Sequence, residues 1–135
     1  QLGRSVPTWG GRFSDPPVTV SATVRAVSDG RVGLKGPMSV GGKVRLGPSA
    51  CLEVQGVLVG VSTNKTQMLD REMFRFLGIV PEEMKILVNK SSVHFRADFA
   101  PIASHILVAQ AAGPMAADPA DLPWTRLPAR MSLRP

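Results

Sequence analysis

A chain of 135 residues, 44% of them hydrophobic and 19% charged, has the length of one domain and the composition of a globular one, which excludes disorder over its whole length. One cysteine and two histidines exclude an internal disulfide and a cysteine-built zinc site, and no apolar run reaches the roughly 20 residues of a membrane helix. A net charge of +6 is compatible with nucleic acid, but the cations are scattered and no tyrosine offers a stacking platform, so neither a nucleic-acid nor a membrane partner is expected.

Residues 1–17 carry Gly3, Pro7, Gly10, Gly11, Pro16 and Pro17 and read as an irregular leading segment. From Val18 the alternation is strict, with Val18, Val20, Ala22, Val24 and Ala26 on one face, and this predicts a half-buried strand. Asp29-Gly30 carries a hairpin signal, and the return strand is placed at Arg31–Lys35 with Val32 and Leu34 inward. The glycine-rich stretch Gly36–Gly42 lacks the lysine and hydroxyl of a phosphate loop and reads as a plain turn. Strands at Lys43–Leu46, Ala50–Val54 and Val57–Ser62, with turns at Gly47-Pro48 and Gln55-Gly56, complete an antiparallel meander of about five strands. Cys51 falls in this alternating run and reads as a buried, inert thiol.

After Thr63 the period changes. Leu69, Met73, Phe76 and Leu77 have helical spacing, Asp70 is placed to cap the helix, Gly78 to end it, and Ile79 to fold back on Phe74. Gln67 lies just before this helix and could reach the site described next, though a plain surface amide is the favoured reading. Pro81-Glu82-Glu83 predicts one helical turn with solvated carboxylates. Then come a strand at Lys85–Val88, a helix from Ser91 or Ser92 with Phe95, Phe99 and Ile102 buried, a kink at Pro101, and a strand at His105–Gln110. This order predicts a βαβ-like unit, so the fold class is α+β, with a domain over residues 18–110. Residues 111–135, rich in proline and alanine, read as an extended tail.

Lys90, Ser91, Ser92, His94 and Arg96 concentrate polar groups at the predicted strand-to-helix junction, where unpaired backbone N–H groups and two cations favour an anion. Arg96 can bind a carboxylate through two parallel hydrogen bonds. His94 can donate to an oxyanion or orient a water, and the serines offer hydroxyls. No acid is placed to orient His94, so a serine triad is not built. The competing reading is a capped structural helix in which Arg96 pairs with Asp98.

The run from Lys90 to Pro101 resembles the K-S-x-x-H-F-R-A-x-F-x-P signature of the C-terminal domain of the MlrC family. Further segments are similar: Val24–Pro37, Gly47-Pro48-Ser49-Ala50, and Gln67-x-Leu69-Asp70-x-x-x-Phe74-x-x-Leu77-Gly78-Ile79. Gly10-Gly11-Arg12 followed by Pro16-Pro17 resembles a shortened form of the family's opening. The likeness therefore runs from about residue 10 to the tail. It implies a piece of a metallopeptidase-like amide hydrolase, of the kind named for degrading linearised microcystin, whose N-terminal domain holds the zinc. On that basis the substrate is a peptide or amide, the partner is the missing N-terminal domain, a homo-oligomer is left open, and the location is soluble and cytoplasmic. This chain would complete the substrate cleft through Lys90, Ser91, Ser92, His94 and Arg96. It would hold no metal and would not be active alone, with His94 the one candidate catalytic group. The alternative is a non-catalytic structural or assembly domain. The chain begins at Gln1 without a methionine, in line with a fragment.

Overall fold

The computed structural model describes residues 19–91, 93–109, 118–128 and 130–132. They fall into two units, one spanning Val20–Ile106 and the other Gln1–Thr19 with Leu107–Pro135. The first unit carries five antiparallel strands: β1 (Thr23–Ser28), β2 (Arg31–Gly33), β3 (Lys43–Arg45), β4 (Ser49–Val54) and β5 (Val57–Ser62). Two short helices follow, α1 (Glu72–Arg75) and α2 (Arg96–Phe99). The α+β expectation holds, and the strands form two sheets, β1-β4-β5 and β2-β3.

The Asp29-Gly30 expectation is corrected by the pairing. β1 pairs with β4 and β2 with β3, so Asp29-Gly30 is a bend within one long two-stranded ribbon and not a hairpin. The register Ser28↔Ser49 carries across to Arg31↔Arg45 with a shift of one residue. At the bend Leu46 N–H donates to Gly30 O at 2.7 Å. Gly30 and Gly47 meet there at φ +74° and +68°, and a Cβ on Gly30 would lie 2.0 Å from Gly47 O. No side chain fits at Gly30, whereas a Cβ on Gly47 would meet Thr63 Cβ at 3.1 Å, and there it is the positive φ that asks for glycine. The true ribbon end is the glycine-rich turn, closed by Leu34 N–H to Gly42 O at 2.8 Å and Gly41 N–H to Leu34 O at 3.1 Å.

β4 and β5 form a tight hairpin. Val54 pairs Val57 across Gln55-Gly56, whose φ values of +50° and +84° fit a type I′ turn. The alternation expected for β1 breaks, because a bulge shifts the register between Val24 and Ala26. The extra residue resets the period, leaving Val24 59% and Val27 77% exposed while Ala26 is half-buried.

Two apolar clusters lie between the strands and α1. Val32, Leu34, Leu46 and Met73 make the first, and Cys51, Leu77 and Ile79 the second, with Phe76 packed against both. Burial pushes the Cys51 thiol above its ordinary value, with Glu53 adding to the shift and Arg25 opposing it, so the thiol stays neutral and inert, as expected. The end of α1 is a Schellman motif: Gly78 N–H donates to Arg75 O and Ile79 N–H to Phe74 O, with Gly78 at φ +75°.

Asp70 does more than cap. It is 1% exposed. Its Oδ1 accepts the Glu72 N–H at 2.9 Å, while Oδ2 accepts Lys35 N–H at 2.8 Å and Gly36 N–H at 2.6 Å. One carboxylate thus satisfies the start of α1 and the end of the β2 ribbon together. Asp98, 4% exposed, joins α2 to the same place. It accepts Arg71 N–H at 2.7 Å and the Arg71 guanidinium at 3.1 Å (Nε) and 3.0 Å (Nη2). Phe99 stacks edge-on against Phe74 with centroids 6.0 Å apart. Gly36 sits between the two carboxylates. A Cβ there would lie 2.9 Å from Asp98 Cγ and 3.0 Å from Asp70 Oδ2, so the backbone approaches them only because the side chain is missing.

An ionic ring surrounds α1. Glu72 bonds Arg75 at 2.8 Å and Lys35 at 3.2 Å, and Glu82 takes Arg71 at 2.7 Å and also pairs with Arg75. Glu82 is therefore paired, not merely solvated. The hydrogen bond from Arg75, helped by Lys35 and opposed by burial, holds Glu72 below the ordinary carboxylate value of 4.5. A depressed folded value stabilises the fold above pH about 4.5, and that contribution disappears as pH falls through the folded value. Urea melts of Glu72→Gln and the unmodified chain are expected to differ at neutral pH and to converge as the pH falls through the folded value. A constant difference across that range would show that Glu72 is not linked.

The βαβ-like unit is corrected. Neither Lys85–Val88 nor His105–Ala109 pairs with a strand, and Gln110 lies outside the described residues. Ile86 and Val88 are 82% and 85% exposed. An apolar run of three or four residues has strand composition, but it forms a ladder only where a sheet edge receives it. Pro81–Glu83 forms the predicted turn as a single 3₁₀ turn. The kink at Pro101 also forms, since α2 passes into a 3₁₀ turn over Ala100–Ile102.

In the second unit, a 3₁₀ turn spans Pro119–Asp121, and the Ala120 N–H donates to Asp118 Oδ1 at 2.8 Å. Further turns follow, with Trp124 N–H donating to Leu122 O at 2.8 Å and Met131 N–H to Pro128 O at 2.9 Å. The leading segment 1–17 and residues 111–117 of the predicted tail lie outside the described residues. Among the described residues no helix is long and apolar enough to cross a membrane.

Candidate polar site around His94

The chain enters this site from two places. Gln67 lies in the extended segment leading to α1, which Asp70 fixes from below. Ser91 to His94 lie in the turn that opens α2, which Asp98 and Phe99 fix. The two anchors bring together residues 24 and 27 positions apart. Gln67 Oε1 lies 3.0 Å from His94 Nδ1, and Gln67 Nε2 lies 3.5 Å from Ser91 Oγ. Gln67, which the sequence showed only as able to reach the site, thus does so. The position that an acid holds in a serine triad is taken by a neutral amide.

His94, Lys90 and Arg96 are exposed, and Ser91 is half-buried. Arg96 does not pair with Asp98, whose oxygens are taken by Arg71. Its guanidinium carbon instead lies 5.4 Å from the centre of the Phe95 ring. Stacking on a ring holds the guanidinium plane and leaves its N–H edges free for an acceptor. Beside Lys90, Asn89 Oδ1 is buried with no hydrogen-bond partner among the described residues.

The cap expected of Ser91 is not formed. α2 opens through Arg96 N–H to Val93 O and Ala97 N–H to His94 O, with no side-chain cap, and Ser92 lies outside the described residues. Ser91 is drawn toward Gln67 instead. With four residues, α2 is also too short to present the dipole on which an anion site at its start would depend.

The Asp98–Arg71 pair was missed at the sequence level. Helical spacing turns Phe99 inward, but a carboxylate one position earlier reads as solvent-facing until its partner 27 residues away is known. Asp98 holds the Arg71 guanidinium above its usual value, first through their hydrogen bond, and Glu82 adds to this. His105 is exposed and lies 3.3 Å from Ser104 Oγ. A shallow depression bordered by Pro48, Ser49, Ala50, Val61, Ser62 and Thr63 involves none of the site residues. Among the described residues no group of three His, Cys, Asp or Glu side chains is placed to hold a metal ion.

Comparison with curated proteins found no match. Among solved structures, the fold is similar to that of a candidate metallopeptidase from Mesorhizobium sp. BNC1, with a TM-score of 0.61 and 24% sequence identity. That likeness covers 76% of this chain and 22% of the other, so this chain spans about a fifth of that protein's length. The family described as MlrC C-terminus matches residues 1–126, nearly the whole sequence. The chain belongs to the MlrC C-terminus family.

Proposed function

We propose that this domain serves a metallopeptidase-like amide hydrolase, completing a substrate cleft whose zinc is held by a domain N-terminal to it. The microcystin-type peptide chemistry of the family's namesake gives the substrate class: a peptide or amide bearing a carboxylate. The observation that carries the reading is the run of exposed Lys90, His94 and Arg96 with half-buried Ser91, of which Ser91 and His94 are contacted by Gln67 from a separate segment. Exposed Ile86, Val88 and Val93 flank the set in sequence, an apolar border suited to contact with another part of the protein.

The described residues do not fit a zinc site, so their contribution is made through charge and hydrogen bonding. When bound by the other domain, zinc would supply Lewis acidity and an activated water. Arg96 receives a substrate carboxylate on its free N–H edges, Lys90 adds positive charge, and Ser91 and Ser92 offer hydroxyls. His94 contacts the polar part of the scissile amide.

The test uses the intact protein. Arg96→Ala is expected to raise KM about tenfold to a hundredfold, the value of a charge-assisted hydrogen bond. It should leave the melting temperature within a degree or two, because the Arg96 side chain is exposed and its contact among the described residues is with the Phe95 ring. If Arg96→Ala and His94→Ala leave kcat and KM unchanged, the site assignment is wrong. Should they lower the melting temperature alone, the non-catalytic, structural reading replaces it.

A further inference from the structure

We infer that Gln67 is a positioning residue that holds His94 in its Nδ1–H tautomer, so that neutral His94 meets its ligand through a bare Nε2. The inference rests on the proposed role of His94 but concerns the chemical state of the ring. An amide oxygen only accepts hydrogen bonds. With Gln67 Oε1 at 3.0 Å, Nδ1 must carry the proton. In this orientation of the amide, Gln67 Nε2 faces Ser91 Oγ, which can accept from it at 3.5 Å. Nε2 of His94 meets no partner among the described residues, and the ring is exposed.

This changes what the site can recognise. A neutral ring protonated on Nδ1 has no proton on Nε2 to give to an oxyanion. It accepts a hydrogen bond instead, from an amide N–H, an ammonium group or a water, and it can take a proton at Nε2. The ligand group facing His94 is therefore a donor, while the anionic part of the ligand falls to Arg96 and Lys90. Specificity is divided within one cluster.

With only two histidines in the chain, the ring nitrogens can be read directly by nitrogen-15 NMR of the labelled chain at a pH where both rings are neutral. His105→Gln leaves His94 as the sole signal. The expected result is a majority Nδ1–H form for His94, with the ratio inverted in Gln67→Ala. Gln67→Glu, which keeps the acceptor, should restore the Nδ1–H form. A majority Nε2–H form in the unmodified chain, or a ratio that Gln67→Ala leaves untouched, overturns the inference. The spectrum is independent of turnover, so it can fail while the kinetic test of Arg96 succeeds, and the reverse.

Discussion

Asp70→Asn is expected to lower the melting temperature by on the order of 15 °C, close to the effect of Asp70→Ala, in a calorimetric or circular-dichroism melt. Asparagine caps helices as well as aspartate does, so a residue that was merely an N-cap would tolerate the change. Asp70 is not merely that. Its two oxygens accept three backbone N–H groups, from Glu72, Lys35 and Gly36. An amide has one oxygen, and its NH₂ would point at donors on whichever side it faced. Leaving one or two buried N–H groups without acceptors costs about 3 kcal/mol, and each kcal/mol moves the midpoint of a domain this size by roughly 4–8 °C. A shift of only a degree or two would mean the carboxylate is dispensable.

The second large effect is at Asp98. Asp98→Ala removes the acceptor for Arg71 N–H and the partner of its guanidinium, and α2 then keeps its hold on α1 mainly through Phe99. The expected loss is about 3 kcal/mol, at the lower end for a broken buried ion pair, because Arg71 is 26% exposed and retains Glu82. Urea melts of Asp98→Ala, Arg71→Ala and the double variant form a cycle. Arg71→Ala should cost much less once Asp98 is gone; full additivity would show that the two do not act as a pair. Because His94 lies in the turn that opens α2, the same variant is expected to loosen the candidate site as well.

These two residues also mark where sequence reading stops. The strands from Arg31 to Ser62 follow from alternation and turn residues, and Asp70 and Gly78 announce both ends of α1. Such signals are local, so spacing alone carries them. What Asp70 does for Lys35 and Gly36, and Asp98 for Arg71, depends on segments 27 to 35 positions apart. A buried carboxylate looks like any solvated one until those segments meet. Asp29-Gly30 failed for a related reason: the residues that make a hairpin turn also make a bend, and only the pairing partner tells them apart. Of the site, Gln67 stood out in the sequence only as a residue that could reach it, while the cap expected of Ser91 gave way to a contact with Gln67.

The bend at Gly30 and Gly47 also bears on how the chain folds. The turn at Gly36–Gly42 is the shortest closure in the ribbon, so β2 and β3 can zip with little loss of chain entropy. Because the pairing shifts by one residue there, β1 and β4 are expected to find their register after the two glycine backbones have crossed. On that expectation the crossing acts as a checkpoint between the β2-β3 hairpin and the three-stranded sheet. A side chain at either glycine would slow assembly as well as weaken the finished fold.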